Sequence, residues 1–221
     1  MRPFDLICFD VDGTLVVHPD EQIVWEILNI RFNGDDAANH TRYQQYKAGE
    51  ITYAEWVALD VGDWLRAGAT RAQILEAIRD LRLIDGTHET LAELKRRGHK
   101  LAIVSGTLDI VLDTLLPEHP FDDVFVNRIF FNERGVLIGW EPTPYDVDGK
   151  ARALREIAAR EGVGLERCAF VGDSFNDVDI ARAAGFAVAF TPKCDELVEV
   201  CDVTMRGDHL STLLPLFPEE H

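Results

Sequence analysis

The stretch that most constrains this chain is residues 6–15, which read LICFDVDGTL. Its first four residues, Leu6–Phe9, are apolar without a helical period and predict a short buried strand. Two carboxylates follow, Asp10 and Asp12, before Gly13 favours a turn. Ligands of open α/β sheets bind beyond the carboxyl ends of the strands. The stretch therefore predicts one strand of such a sheet and the place of its chemistry.

A plain turn and a calcium-binding loop both explain this stretch less well than a sheet strand that ends in a site. The pattern Asp-x-Asp-Gly recurs at residues 146–149, but Glu-Pro-Thr-Pro precedes it and no strand can lead in there. A calcium-binding loop would have Asp10, Asp12 and Glu21 at its positions 1, 3 and 12. It would also need Gly at position 6, where the chain has Leu15.

The segment after the first strand is helical in pattern. We predict helices over 21–32, 43–48, 53–65 and 71–81, with Thr52 and Glu55 forming a capping box before the third. We predict no strand in this region. Residues 17–83 are therefore expected to form an all-helical insertion.

From residue 83 onward, strand and helix patterns alternate. Strands are predicted at 101–104, 124–126, 168–171, 186–190 and 202–205, with a hairpin of 128–131 and 136–140 and a closing helix. This alternation indicates an α/β fold with a doubly wound, Rossmann-like parallel sheet. The expected division is a core of residues 1–16 and 84–221, carrying a small helical cap at 17–83.

Composition excludes several classes of protein. A formal charge of −17 argues against nucleic-acid binding, which requires a basic surface. The sequence has no apolar run of transmembrane length, so we expect no membrane partner. Four cysteines are too few for a disulfide scaffold, and the cytoplasm is the expected location. The sequence does not indicate an oligomeric state.

Three further motifs follow in order. Ser105 comes directly after the predicted strand 101–104, Lys150 opens a predicted helix, and residues 172–177 read GDSFND after the strand 168–171. Together with Asp10-x-Asp12, this set resembles the haloacid dehalogenase (HAD) superfamily, whose members are mostly magnesium-dependent phosphatases. The amino-acid sequences of residues 104–106, 172–177 and 47–53 resemble those of the phosphoserine-phosphatase branch.

The resemblance implies a role for each residue. Asp10 would be the nucleophile that forms an aspartyl-phosphate, and Asp12 the general acid and base. Mg²⁺ would bind the Asp10 and Asp173 carboxylates and the Asp12 carbonyl, with Asp177 orienting a metal-bound water or Lys150. The phosphoryl group of a small-molecule phosphomonoester would be held by four residues: Ser105, Gly106, Lys150 and Asn176.

One other function stays open beside hydrolysis, and two further ones are disfavoured. A phosphotransferase that passes the phosphoryl group to an alcohol acceptor would use the same residues. A phosphorylated receiver domain would present its acidic residues on different strands and lack the helical insertion. A serine hydrolase would need Gly at Asn176 to complete an elbow at Gly172-x-Ser174.

Free phosphoserine is not expected to be the best substrate. In phosphoserine phosphatases a Glu after the first motif meets the amino group, and an Arg on a cap helix grips the carboxylate. Counting along this chain places Pro19 at the Glu position, with Asp20 and Glu21 just after it, and Asp60 at the Arg position. Other arginines and several aromatic residues stay open as pocket residues: Arg31, Arg42, Arg66, Tyr46, Tyr53, Trp56 and Trp64.

Overall fold

A central sheet of seven strands organises the computed structural model, which describes residues 3–147 and 149–219. The strands are β1 Leu6–Phe9, β2 Val16–Val17, β3 Arg82–Leu83, β4 Lys100–Leu108, β5 Asp123–Phe131, β6 Leu137–Glu141, β7 Cys168–Gly172, β8 Phe186–Phe190 and β9 Val203–Met205. The sheet order is β6-β5-β4-β1-β7-β8-β9, and only the β5–β6 pair is antiparallel. The predicted α/β, doubly wound, mostly parallel sheet is confirmed.

Helices cover the sheet and fill the segment between β2 and β3. Their bounds are α1 Val24–Asn33, α2 Ala37–Lys47, α3 Tyr53–Arg66, α4 Arg71–Ala77, α5 Thr87–Arg96, α6 Asp109–Leu115, α7 Lys150–Glu161, α8 Val178–Ala183 and α9 Asp195–Val200. Within residues 3–147 and 149–219, no helix is both long and apolar enough to cross a lipid bilayer.

Strand β1 lies at the centre of the sheet, between β4 and β7. Its side chains alternate between two apolar clusters, because successive residues of a strand point to opposite faces. Ile7 and Phe9 join a cluster that includes residues of α3, α4 and α5, while Leu6 and Cys8 join a cluster that includes α7 and α8. The helical segment after β2 therefore shares its core with one face of the sheet.

Several predicted elements have different bounds in the structure. The prediction of no strand within 17–83 is wrong, since Val17 pairs with Arg82 in the short antiparallel sheet of β2 and β3. Strands of two residues are too short to produce a pattern in sequence. The helix predicted at 43–48 begins already at Ala37. The prediction missed its first turns because they are polar and lack an apolar stripe. The closing helix is a 3₁₀ helix, Leu210–Leu216.

The strand at 124–126 and the first hairpin strand at 128–131 are one continuous strand, β5. Asn127 separates the two apolar runs in sequence and suggested a break. Its side chain is instead buried, donates to the Gly106 carbonyl at 2.7 Å and accepts from the Thr143 amide at 2.9 Å. A polar residue in a buried strand is tolerated when its hydrogen bonds are satisfied.

The predicted capping box at α3 is present. The Thr52 hydroxyl accepts from the Glu55 amide at 3.2 Å, and the Glu55 carboxylate accepts from the Thr52 amide at 2.7 Å. This pair satisfies two backbone donors that the first helical turn leaves without a partner.

Thr52→Ala should lower the free energy of unfolding by about 1 kcal/mol, because an N-cap hydroxyl is lost. Urea unfolding followed by circular dichroism measures the change. Thr41→Ala is the matched control: the exposed Thr41 hydroxyl donates to the Ala37 carbonyl within α2, and its loss should change stability by less than about 0.5 kcal/mol. Equal losses in the two variants would contradict the capping role.

Candidate active site

Two adjacent strand ends carry the central carboxylates of the site. Asp10 follows β1 and Asp173 follows β7, and these strands pair in register with Phe9 opposite Val171. Asp177 comes from the 3₁₀ turn Phe175–Asp177 that follows. All three carboxylates are buried, and one oxygen of each lies within 4.8 Å of the others. The structure thus brings together residues far apart in sequence, as the strand-end argument predicts.

Lys150 bridges two of these carboxylates from the first turn of α7. Its Nζ donates to Asp10 Oδ1 at 2.6 Å and to Asp177 Oδ1 at 2.7 Å, and the lysine is fully buried. Burial by itself lowers the pKa of Lys150, but the neighbouring carboxylates outweigh it and raise the pKa above its ordinary value. The ammonium is therefore charged at neutral pH.

Backbone donors fix Asp177 on its other side. Its Oδ2 accepts from the Asp173 amide at 2.9 Å and from the Ser174 amide at 3.1 Å. With Lys150 on Oδ1, both oxygens of this carboxylate have protein partners. Asp177 is thus fixed by Lys150 and by two backbone amides, and its predicted orienting role stays a prediction.

Crowding of carboxylates perturbs their ionisation. Burial, and then the adjacent Asp10 carboxylate, raise the pKa of Asp12 to about 7. Burial and the charges of Asp10 and Asp177 likewise raise the pKa of Asp173 above its ordinary value. A group with a pKa near the working pH is well placed to give and take a proton.

Lys193 is a site residue that sequence reasoning missed. It lies three residues after β8, and its Nζ is 3.2 Å from Asp173 Oδ2. Both groups approach Gly13, whose φ of 90° is unfavourable for other residues, and a Cβ there would overlap the Asp173 carboxylate. The sequence did contain a signal for Lys193, because the residues that follow the predicted strand 186–190 lie at the same edge of the sheet as the motifs already identified.

The strand β4 changes register between Val104 and Leu108, where the predicted Ser105 and Gly106 lie. An irregularity of this kind redirects a strand beside a site. Ser105 is buried, and its hydroxyl accepts from the Thr107 amide at 3.2 Å. The Gly106 carbonyl accepts from Trp25 Nε1 at 2.8 Å, which ties this segment to α1.

Asp146 is a second site residue that sequence reasoning missed. Its Oδ1 accepts from Asn176 Nδ2 at 3.1 Å, and its carboxylate lies so close to Gly106 that a Cβ there would overlap it. The residue belongs to the second Asp-x-Asp-Gly string, which lacks a leading strand. Its last Asp, Asp148, lies outside the described residues. Proximity to Lys150 in sequence was the available signal.

A cavity of about 390 Å³ opens above these groups. On the side of the inserted helices, four aromatic residues and four carboxylates contribute to its wall. These are Trp25, Tyr43, Tyr53 and Trp56, with Glu21, Glu26, Asp36 and Asp60. Of the four aromatic residues proposed from sequence, Tyr53 and Trp56 line the cavity. Trp64 is instead fully buried with its ring centroid 5.3 Å from that of Trp25, and the Tyr46 ring lies beside Trp56.

The three arginines kept open from sequence are engaged elsewhere. Arg42 pairs with both Asp60 and Asp63, Arg66 pairs with Asp63, and Arg31 lies 3.8 Å from Glu76. Of the residues near the expected Glu position, Glu21 lines the cavity. Asp60, at the expected Arg position, is fully buried, and Trp56 Nε1 donates to it at 3.0 Å.

The buried triad Asp10, Asp173 and Asp177 offers only oxygen donors. Hard divalent cations prefer such donors. The crowding of like charges that raises the pKa of Asp173 is the electrostatic condition under which a bound cation is favoured. The triad therefore fits a metal site.

Comparison with known proteins agrees with this geometry. The haloacid dehalogenase-like hydrolase family matches residues 4–185. The chain belongs to this family. The match includes Asp10, Ser105, Lys150 and Asp173, the residues that the fold brings to one edge of the sheet.

Relatives within the family are similar over nearly the whole chain. A phosphoserine phosphatase of Mycobacterium tuberculosis is 34% identical over 95% of this chain, and one of Archaeoglobus fulgidus is 33% identical over 93%. The alignments span 49% and 57% of those proteins, so this HAD chain corresponds to about half of their length. A solved structure, described as a phospho-aspartyl intermediate analogue of phosphoserine phosphatase, is 26% identical with a TM-score of 0.75, covering 97% of this chain and 99% of that one.

Lys150→Met should lower the free energy of unfolding at pH 7 by about 3–5 kcal/mol, because it leaves buried carboxylates without their counter-charge. Urea unfolding measures the loss. The loss should shrink at pH 5: carboxyl groups whose pKa is raised in the folded state take up protons there, which relieves the repulsion.

Lys95→Met is the matched control. Lys95 Nζ lies 2.8 Å from Asp122 in an ion pair open to solvent, which contributes less than about 1 kcal/mol. A pH-independent loss in Lys150→Met, or a loss no larger than that of the control, would contradict the electrostatic account.

Proposed function

We propose that this protein is a phosphatase that hydrolyses a small phosphomonoester through an aspartyl-phosphate formed on Asp10. The observation that carries this proposal is the Asp10 carboxylate, which lines a cavity, is held by Lys150 on one oxygen and has Asp12 two residues away. Relatives with phosphoserine phosphatase activity, and the similarity to a phospho-aspartyl intermediate analogue, support the same chemistry.

The metal that we propose is Mg²⁺. Its protein ligands would be the carboxylates of Asp10 and Asp173 and the backbone carbonyl of Asp12, with Asp177 keeping Lys150 in place. When bound, Mg²⁺ supplies positive charge that balances the phosphoryl oxygens in the transition state. The proximity of the buried Asp10 and Asp173 carboxylates, which are oxygen donors, supports this choice.

In the first step, an oxygen of Asp10 attacks phosphorus while the bond from phosphorus to the alcohol oxygen breaks. Asp12, whose pKa is raised to about 7, gives its proton to the departing alcohol oxygen. In the second step, Asp12 takes a proton from a water molecule that attacks the aspartyl-phosphate. Inorganic phosphate leaves, Asp10 is restored as a carboxylate, and Asp12 is again protonated.

Four groups would hold the phosphoryl oxygens: the Ser105 hydroxyl, the Gly106 amide, the Lys150 ammonium and the Asn176 amide. In the structure Asn176 donates to Asp146, whose carboxylate lies beside Gly106. Asn176 and the segment at Gly106 therefore lie on the same side of the cavity. We further propose that residues 17–83 act as the cap that selects the alcohol half of the substrate.

Asp10→Asn should abolish hydrolysis, lowering kcat by more than about 10³-fold, because an amide is a poor nucleophile. Release of phosphate from para-nitrophenyl phosphate with Mg²⁺ measures it, and excess chelator should abolish the wild-type rate. Asp20→Asn, at an exposed residue outside the cavity, is the control and should keep full activity. Hydrolysis that survives either Asp10→Asn or chelation would refute the mechanism.

Asp12→Asn should affect substrates according to their leaving groups. For an alkyl phosphate, formation of the aspartyl-phosphate should slow by about 10²–10⁴-fold, since the alcohol oxygen needs a proton. For an aryl phosphate, whose leaving oxygen has a low pKa, the loss should be far smaller. Burst-phase kinetics measure this step alone, and equal losses for both substrates would exclude Asp12 as the acid.

A further inference from the structure

We infer that the alcohol half of the substrate carries an ammonium group and no carboxylate. This inference rests on the proposed phosphatase function and specifies the substrate class of the same site. It follows from the part of the cavity wall that the inserted helices contribute, where charge, hydrogen bonding and aromatic surface all favour a cation.

The carboxylates of this wall are not equivalent. Asp60 is neutralised by Arg42, and Glu26 accepts from the Ile23 amide at 3.2 Å. Asp36 differs from both: Asn39 and His40 are close to its carboxyl group, but its Oδ1 is buried and has no hydrogen-bond partner among the described residues. With Glu21 also on the wall, this side of the cavity carries more negative than positive charge.

Positive groups that could bind a carboxylate are scarce in the cavity. Among the described residues that line it, the basic ones are Lys193 and His40, and there is no arginine. Lys193 is paired with Asp173 at the metal-site end. Arg42, the nearest candidate on α2, is held between Asp60 and Asp63. A substrate carboxylate would therefore lose its hydration shell and find neither an arginine nor an unpaired lysine among the described residues of the cavity, where His40 is the remaining basic group.

Aromatic rings complete the wall. Trp56 is fixed by hydrogen bonds from its Nε1 to Asn39 at 2.9 Å and Asp60 at 3.0 Å. The ring of Tyr43 lies 5.6 Å from Trp56 and 5.6 Å from Phe175, centroid to centroid. The faces of such rings attract ammonium groups. The aromatic residues Tyr43 and Trp56 thus share one wall of the cavity with the carboxylates of Asp36 and Glu21, a combination that is complementary to an amino alcohol.

A neutral polyol is the nearest alternative, because hydroxyl groups can also donate to carboxylates. It would bring no positive charge to a wall that carries four carboxylates, and it would gain little from the aromatic faces beyond contact. A cationic substrate would interact favourably with both the carboxylates and the aromatic rings of the wall, so we favour it. The neutral substrate is an outcome of the test.

The test compares substrates that differ in the groups on their alcohol half. O-phosphoethanolamine is O-phosphoserine without the carboxylate, and glycerol phosphate has uncharged hydroxyl groups in place of the ammonium group. We expect kcat/KM for O-phosphoethanolamine to exceed each of the other two by at least about tenfold. Para-nitrophenyl phosphate, measured alongside with Mg²⁺, reports on the phosphatase activity independently.

Asp36→Asn tests the residue at the centre of the argument. It keeps the shape of the side chain at the start of α2 and removes the charge, so the preference for O-phosphoethanolamine over glycerol phosphate should fall about five- to tenfold. Asp35→Asn is the matched control: Asp35 is exposed, lies outside the cavity and accepts from the Ala37 amide at 3.0 Å. It should leave the preference unchanged.

The results separate the inference from the proposed function. If O-phosphoserine is the best of the three, the wall accepts a carboxylate and the inference is wrong while the proposed function stands. If glycerol phosphate is hydrolysed as well as O-phosphoethanolamine, the ammonium is not recognised and the inference is again wrong. If no substrate is hydrolysed, para-nitrophenyl phosphate included, the proposed function itself fails.

Discussion

A single buried ammonium holds the site together. Lys150 is fully buried and contacts Asp10 and Asp177, while Asp173 lies within the same group of carboxylates. Removing these charges from water is costly, and apolar residues of similar volume would often be at least as stable. The arrangement persists because each charge has a counter-charge or a backbone donor. The fold supplies these partners from β1, β7 and α7, so sheet geometry and electrostatics depend on each other.

Much of the central sheet and of the acidic site could be predicted from local signals in the sequence. The apolar run Leu6–Phe9, the acidic residues after it and the Gly-Asp string after β7 each combine a strand pattern with polar groups at its end. Parallel strands bring such ends to one edge, which is why Asp10 and Asp173 meet. The capping box at Thr52 was predictable for the same reason, since it depends on four consecutive residues.

The parts that sequence reasoning missed depend on tertiary contacts. Asp146 comes from a loop without a strand before it, and only its approach to Gly106 and Asn176 gives it a place in the site. Asn127 breaks an apolar run in sequence, yet its buried hydrogen bonds keep β5 continuous. Arg42 was one of several candidates for a substrate contact, and its pairing with Asp60 and Asp63 could not be predicted from spacing.

The central position of β1 has a consequence for how the protein folds. Phe9 is paired with Ile103 on one side and with Val171 on the other, so the first strand of the chain has no neighbour close in sequence within the central sheet. Closing such long loops costs entropy before the contacts repay it, and folding rates fall as the sequence separation of contacts rises. During synthesis, β1 emerges before both of its partner strands, β4 and β7. The apolar residues of β1 therefore lack their partner on one side until β7 has been made, and an unpaired apolar strand of this kind is prone to aggregation.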